Sequence, residues 1–202
     1  MSLAPLSTTA GSAFSRAQTD DRANRETHDF YPTHPGATRA LLTVEAFDGP
    51  IWEPACGDGA MSTVLEAAGH QVISTDLVKR GYGEQRDFLM EWAPRAPHIV
   101  TNPPFRWARE FADRALLLTR MPGGKVCLFL RLAFLEGIER QRWFATTPLA
   151  RVWVMSRRVP MARGKAHGEG DGSGVIAFAW FVWEHGHQGK PDLGWLDWKA
   201  AA

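Results

Sequence analysis

The pentapeptide Thr101-Asn102-Pro103-Pro104-Phe105 follows the apolar pair Ile99-Val100 and precedes an amphipathic segment opening with Arg106-Trp107. That context reads as buried strand, rigid turn and helix. Two consecutive prolines fix φ at both positions and remove two backbone donors, and the first also restricts Asn102. The Asn102 carboxamide and the neighbouring carbonyls are therefore presented in fixed directions at a strand end, which suits a group that must accept hydrogen bonds from a polar ligand. Asn-Pro is also ordinary turn chemistry, so the pentapeptide gains weight only from what precedes it.

What precedes it is Glu53-Pro54-Ala55-Cys56-Gly57-Asp58-Gly59, a glycine loop whose backbone a ligand can approach closely. A nicotinamide-binding turn would read GxGxxG and open a helix onto a pyrophosphate. Here Ser62 stands at the third glycine position, and Glu53 and Asp58 put negative charge where a pyrophosphate would sit. The charge favours a cationic or zwitterionic ligand. S-adenosylmethionine, with an amine and a sulfonium, fits, and Asp76 at the end of the next strand is placed to accept ribose hydroxyls.

The elements that must position these groups follow from periodicity. Residues 37–47 carry apolar positions at helical spacing, with Pro35 well placed at the helix start. Residues 51–55 predict a strand, 61–68 a helix stopped by Gly69, and 71–76 a second strand. This strand, loop, helix, strand order is a βαβ unit with ligands at the strand C-termini. After a looser region come a strand at 98–101 and a helix with Trp107, Phe111, Ala115 and Leu118 on one face, which assigns Trp107 to the core. Strands at 125–130 and 151–155, a helix at 134–145 and a final strand at 174–183 complete the pattern. Residues 162–173, with four glycines among charged residues, predict a mobile loop. Residues 1–27 lack periodicity and predict a flexible tail, leaving residues 28–202 as a single domain.

A chain of 202 residues with 45% hydrophobic content is long enough to bury a real core. The formal net charge of +1 creates no global positive field, so a polyanion would need a local patch. Cys56 and Cys127 lack any CxxC or His pairing, which points to a reducing compartment and no metal. No apolar run reaches the roughly 18 to 20 residues that span a bilayer, and no leader-like N-terminus is present. The expectation is a soluble, cytoplasmic protein without a membrane partner.

Taken in order, Phe30-Tyr31-Pro32-Thr33, the Glu53–Gly59 loop, Asp76, Asp87-Phe88 and Asn102-Pro103-Pro104-Phe105 resemble the motifs of class I S-adenosylmethionine-dependent methyltransferases. More narrowly, the chain resembles N6-adenine DNA methyltransferases, including the short stand-alone forms of phages and prophages. The matching motifs span residues 29–105. The resemblance implies an α/β, Rossmann-like fold: a mostly parallel seven-stranded sheet with helices on both faces and an antiparallel C-terminal strand. It implies that Tyr31 and Thr33 cover the methionine end of S-adenosylmethionine, that Glu53, Ala55, Cys56, Gly57, Asp58 and Gly59 line it, that Asp76 and Leu77 meet the ribose, and that Asp87 and Phe88 meet the cofactor adenine. Asn102 and Pro103, held by Pro104, would bind the target amine, with Phe105 stacked on the target base and Asn102 also bordering the cofactor.

DNA is then the expected partner, with the base flipped out of the duplex. Candidate phosphate contacts are Arg106, Arg109, Arg131, Arg157, Arg158, Arg163 and Lys165, of which the Arg157-Arg158 pair with Arg163 and Lys165 stands out most as a cluster. Two departures qualify the resemblance. His34 intervenes between Thr33 and Pro35, and no separate target-recognition domain is evident. The same tetrapeptide serves enzymes that methylate RNA bases or protein glutamines, because all offer a planar amine. A third reading, a catalytically silent nucleic-acid-binding module, predicts no cofactor binding; the intact Glu53, Asp76 and Asn102 weigh against it. Asn102→Ala is expected, from sequence alone, to abolish transfer without weakening cofactor binding.

Overall fold

The run Lys125–Arg131 (β5) sends Val126, Leu128 and Leu130 into one core layer and Cys127 and Phe129 into another. A strand with both of its period-2 faces covered reads as a continuous apolar run, the mark of the middle of an α/β sheet. The computed structural model describes residues 30–161 and 175–201. The expected tail at 1–27 and loop at 162–173, with Arg163 and Lys165, lie outside the described residues.

In chain order the elements are α1 (Pro35–Leu42), β1 (Ile51–Glu53), α2 (Ser62–Ala67), β2 (Val72–Asp76), β3 (Glu84–Gln85), β4 (His98–Thr101), α3 (Ala108–Leu118), β5, α4 (Ile138–Phe144), β6 (Leu149–Met155), β7 (Phe178–Glu184) and β8 (Asp192–Leu196). Short 3-10 turns occupy Phe88–Met90, Phe105–Trp107 and Leu132–Leu135. The strands form one sheet in the order β3-β2-β1-β4-β5-β7-β6-β8. Among the described strands, β7 alone runs antiparallel to its neighbours. Helices cover both faces: α3 contributes Phe111, Ala112, Ala115 and Leu118 to one layer, and α1 and α2 contribute Ala37, Ala40, Leu41 and Leu65 to the other.

The chain proceeds outward from β1 to β2 and β3, then returns to place β4 on the opposite side of β1. The order of strands reverses between β1 and β4. At such a switch point the connections leave the strand C-termini in opposite directions and open a crevice. The loop after β1 is Pro54 to Met61 and the loop after β4 is Asn102 to Pro104, so topology alone brings the two chemically suggestive stretches to one crevice.

The structure departs from expectation in four places. The sheet has eight strands, not seven, because Glu84-Gln85 pairs with Thr75-Asp76 and because β8 follows β7 and lies parallel to β6. The strand expected to end the chain is therefore not the last; β8 is an edge strand with Leu193 and Trp195 exposed, too weakly patterned to signal itself. α1 stops at Leu42, short of 47, and the chain turns so that Glu45 meets Lys125 Nζ (2.9 Å), Trp153 Nε1 (3.0 Å) and Arg151. The helix expected over 134–145 is split, since Gly137 adopts φ 113° between the 3-10 turn and α4, a conformation other residues rarely take.

Among the described residues no helix is long and apolar enough to cross a membrane.

Candidate active site at the switch point

The β1 side of the crevice is a glycine loop stitched to β2. Cys56 N donates to Thr75 O (3.0 Å), Gly57 N donates to Asp76 Oδ2 (2.8 Å) and Val78 N to Asp76 Oδ1 (2.8 Å). Both Asp76 oxygens thus organise backbone while each retains a lone pair. Gly57 sits at φ 58°, and a Cβ there would collide with the Phe30 ring. Gly57→Ala is accordingly expected to cost about 1 to 2 kcal/mol from the left-handed backbone alone, a fall in Tm of roughly 2 to 8 °C for a chain of this size. An unchanged melting curve would show that residue 57 leaves the left-handed conformation without cost.

Glu53, at the end of β1, is 2% exposed. It accepts a short hydrogen bond from the Ser62 hydroxyl at the start of α2, and Ser62 Oγ lies 2.6 Å from Ser74 Oγ. Burial pushes the Glu53 carboxyl up to about 8, with Asp76 and Asp58 adding to the rise against the lowering effect of Ser62. At neutral pH the acid is therefore mostly protonated, and a cation beside it would draw the proton off. The negative charge read from the sequence is conditional on a ligand. Asp58, in contrast, is exposed and caps its own turn through Ala60 N (3.2 Å).

The β4 side presents Asn102. Its Nδ2 donates to Thr33 Oγ1 (3.0 Å) and to Tyr31 O (3.3 Å), so the upstream aromatic loop and the strand end are tied together across about seventy positions of sequence. That loop is anchored in turn: His34 Nδ1 accepts from Gly36 N (3.0 Å) at the start of α1, and Ala37 O accepts from Trp180 Nε1 of β7 (3.0 Å). His34, the departure from the family pattern, serves as the helix cap. With the amide nitrogen committed, the Asn102 Oδ1 is buried and has no donor. A buried acceptor without a partner is costly and calls for an explanation. Phe105 lies 6.1 Å from the Tyr31 ring and carries the Arg131 guanidinium 4.5 Å from its centroid.

Between the two sides is a cleft of about 970 Å³, open mouth included. Tyr31, Thr33, Glu53, Ala55, Cys56, Asp58, Asp76, Leu77, Asn102, Pro103, Pro104, Phe105 and Arg106 all border it. Gly57 and Gly59 shape its loop without bordering it. Asp87 and Phe88 do not reach it: Phe88 is buried against Trp52 and Phe111, and Asp87 caps the following 3-10 turn through Leu89 N (3.0 Å). Trp107 packs partly on the core but also borders the cleft. Of the other cations, Arg109 pairs with Asp113 (2.8 Å) and stacks on Trp143, and Arg157 pairs with Asp197 (2.8 Å); Arg158 offers its carbonyl to Trp198. Sequence reading missed Ser62 as Glu53's partner, and Met61, Val78 and Arg80 as cleft residues. Their only signal was nearness to the glycine loop and to Asp76.

No family model matches the sequence, and no match is found among curated proteins. Solved structures do match in shape. One is the methyltransferase subunit of a type I restriction-modification system from Streptococcus thermophilus, 11% identical, covering 90% of this chain and 52% of that one with a TM-score of 0.55. Another is a chain from a type I restriction-modification complex, 13% identical over 80% of this chain and 43% of that one, TM-score 0.51. A third is a predicted O-methyltransferase from Agrobacterium tumefaciens, 12% identical over 80% of this chain and 84% of that one, TM-score 0.51. The chain spans about half the length of the two restriction-modification proteins. Sheet order, the crevice at β1 and β4, and these likenesses together give the chain the fold of the class I S-adenosylmethionine-dependent methyltransferases.

Proposed function

We propose that the protein transfers a methyl group from S-adenosylmethionine to the exocyclic N6 amine of adenine in DNA, the base being flipped out of the duplex. The observation that carries this reading is the buried, donorless Asn102 Oδ1 beside Phe105. An adenine amine brings two N–H donors to be accepted, and its lone pair is delocalised into the ring. Asn102 Oδ1 accepting one hydrogen and the Pro103 carbonyl the other would favour tetrahedral nitrogen as charge develops, a stabilisation of about 3 to 4 kcal/mol per group. Phe105 offers a face for the base and offsets part of the few kcal/mol of lost stacking.

The residues present fit the cofactor. Glu53 and Asp58 border one end of the cleft, Asp76 keeps a lone pair on each oxygen, and Leu77 and Val78 beside it supply apolar surface. With Asp87 and Phe88 turned away, Leu77 and Val78 would take over the contact assigned to them. When bound, S-adenosylmethionine supplies an electrophilic methyl group on a cationic sulfur. The protein's part is to hold the amine nitrogen in line with it, and proximity does most of the remaining work. The fold likeness to a restriction-modification methyltransferase subunit supports a DNA acceptor.

The test is transfer of labelled methyl from S-adenosylmethionine with DNA, RNA and protein offered together. Label recovered as N6-methyladenine in DNA is the expected result. Label confined to RNA or to protein glutamine would reassign the acceptor, and absence of cofactor binding in calorimetry would leave only a binding module.

A further inference from the structure

Phe105 borders two openings. In the cleft the carboxyls of Glu53, Asp58 and Asp76 are mixed with the guanidinium groups of Arg80 and Arg106. A second groove is bordered by Phe105, Arg106, Arg131, Phe134 and Arg140, and among the described residues no carboxylate lines it. Each of the three guanidinium groups there is steadied by an aromatic ring: Arg131 over Phe105 (4.5 Å), Arg106 over Trp107 (4.7 Å) and Arg140 over Phe134 (4.8 Å). Arg140 Nη1 also donates to the carbonyls of Ala133 (3.1 Å) and Glu136 (3.3 Å). None of the three has an ion-pair partner among the described residues, whereas Arg109, Arg142 and Arg157 are neutralised by Asp113, Glu139 and Asp197.

We infer that this groove takes the phosphodiester backbone of the acceptor strand beside the methylated base, so that the strand crosses the C-terminal end of β5 and the start of α4, away from the Arg157-Arg158 segment. The inference rests on the reading of the cleft as the place where a base amine meets the cofactor, and it names the polymer that carries the base. Stacked guanidinium groups are pre-ordered, lose little freedom on binding, and present planar forks that match phosphate oxygens. Arginines held over aromatic rings in an acid-free groove are what a phosphodiester backbone needs, its phosphates falling on the guanidinium groups.

The test is binding of a fluorescent single-stranded oligodeoxynucleotide of roughly 10 to 15 nucleotides, by anisotropy, across a salt series. Wild type is compared with the double variant Arg131→Gln with Arg140→Gln, with the corresponding Lys pair, and with Arg157→Gln plus Arg158→Gln. The Gln pair at 131 and 140 is expected to reduce the slope of log K against log salt by about 1.4, two phosphates at about 0.7 each, while the Lys pair keeps the slope. An unaltered slope in the Gln pair, a greater loss from the 157 and 158 pair, or no oligonucleotide binding by wild type overturns the inference. The same series on RNA of matching sequence identifies the polymer, the larger slope change marking the acceptor. Calorimetry with S-adenosylmethionine shows whether the cleft survives in each variant, and if the Gln pair has lost it the Lys pair and wild type decide. Arginine-dependent binding without methyl transfer leaves the groove standing and removes the catalytic reading; transfer to a protein acceptor with no oligonucleotide binding overturns the groove, keeps the methyl-transfer chemistry and reassigns the acceptor.

Discussion

Asn102→Ala is expected to lower the methyl-transfer rate by about 10²- to 10³-fold, the loss seen when a preorganised group facing developing charge is removed. Cofactor affinity should also fall, by a smaller factor. The structure revises the expectation from sequence here, because Asn102 Nδ2 holds Tyr31 O and Thr33 Oγ1, and Tyr31 and Thr33 border the same cleft. Removing the amide therefore loosens the cofactor's wall as well as deleting the acceptor. Asn102→Asp divides the roles in part. It keeps an acceptor oxygen and can still accept from the Thr33 hydroxyl, but it sets a second acceptor against Tyr31 O, so it loses that half of the tether and leaves the acceptor in place. Single-turnover rates at saturating cofactor, set beside calorimetric affinities for both variants, resolve the contributions. A rate for Asn102→Ala within a few-fold of wild type would sink the proposed role of Oδ1.

The second large effect is the pH dependence built around Glu53. Its carboxyl is raised from 4.5 to about 8 by burial, then by Asp76 and Asp58. A raised folded-state value means that the protonated acid's contribution to stability is complete below about pH 4.5 and is lost as pH climbs through about 8. Glu53→Gln imitates the protonated acid and keeps a hydrogen-bonding partner for Ser62. The variant is therefore expected to match wild type in Tm near pH 5 and to exceed it near pH 9. Cofactor binding should show the opposite preference. A cationic ligand favours the ionised carboxylate, so wild-type affinity should rise tenfold per pH unit at most between pH 6 and 8 and level off above, with a proton released on binding. Glu53→Gln should bind weakly with a flat profile. Equal pH profiles for wild type and variant would mean that Glu53 does not face the cofactor's charge.

These expectations depend on information of two kinds. The β1 loop, α2 and β2, and the strand before Asn102, were legible because each carries its signal within a few residues. Gly57 and Gly59 mark a loop, Gly69 a helix stop, and Pro103-Pro104 a rigid turn. The middle of the sheet was legible for a similar reason: a strand buried on both faces, like Lys125–Arg131, cannot help being continuously apolar. Edge elements were not. Glu84-Gln85 and Asp192–Leu196 are strands because a neighbour offers unpaired backbone groups, and nothing in their own side chains demands it.

The same division runs through the site. The local sequence around Asn102 determined that a rigid, directed carboxamide stands at a strand end next to an aromatic ring. Only the tertiary structure decided that its nitrogen is consumed by Tyr31 and Thr33, which leaves the oxygen as the free acceptor, because those partners lie far away in sequence and arrive through α1 packing on β7. Phe88 illustrates the converse. Its place after Asp87 matches a family motif, yet contact with Trp52 and Phe111 buries it in the core. The protonation of Glu53 depends on its burial, which outweighs the opposing hydrogen bond from Ser62, and the arginine groove depends on β5 and α4 converging beside Phe105. Residue types and short spacings set what each group can do. Burial, charge and the choice of partner are properties of the space between distant segments, and so they wait for the fold.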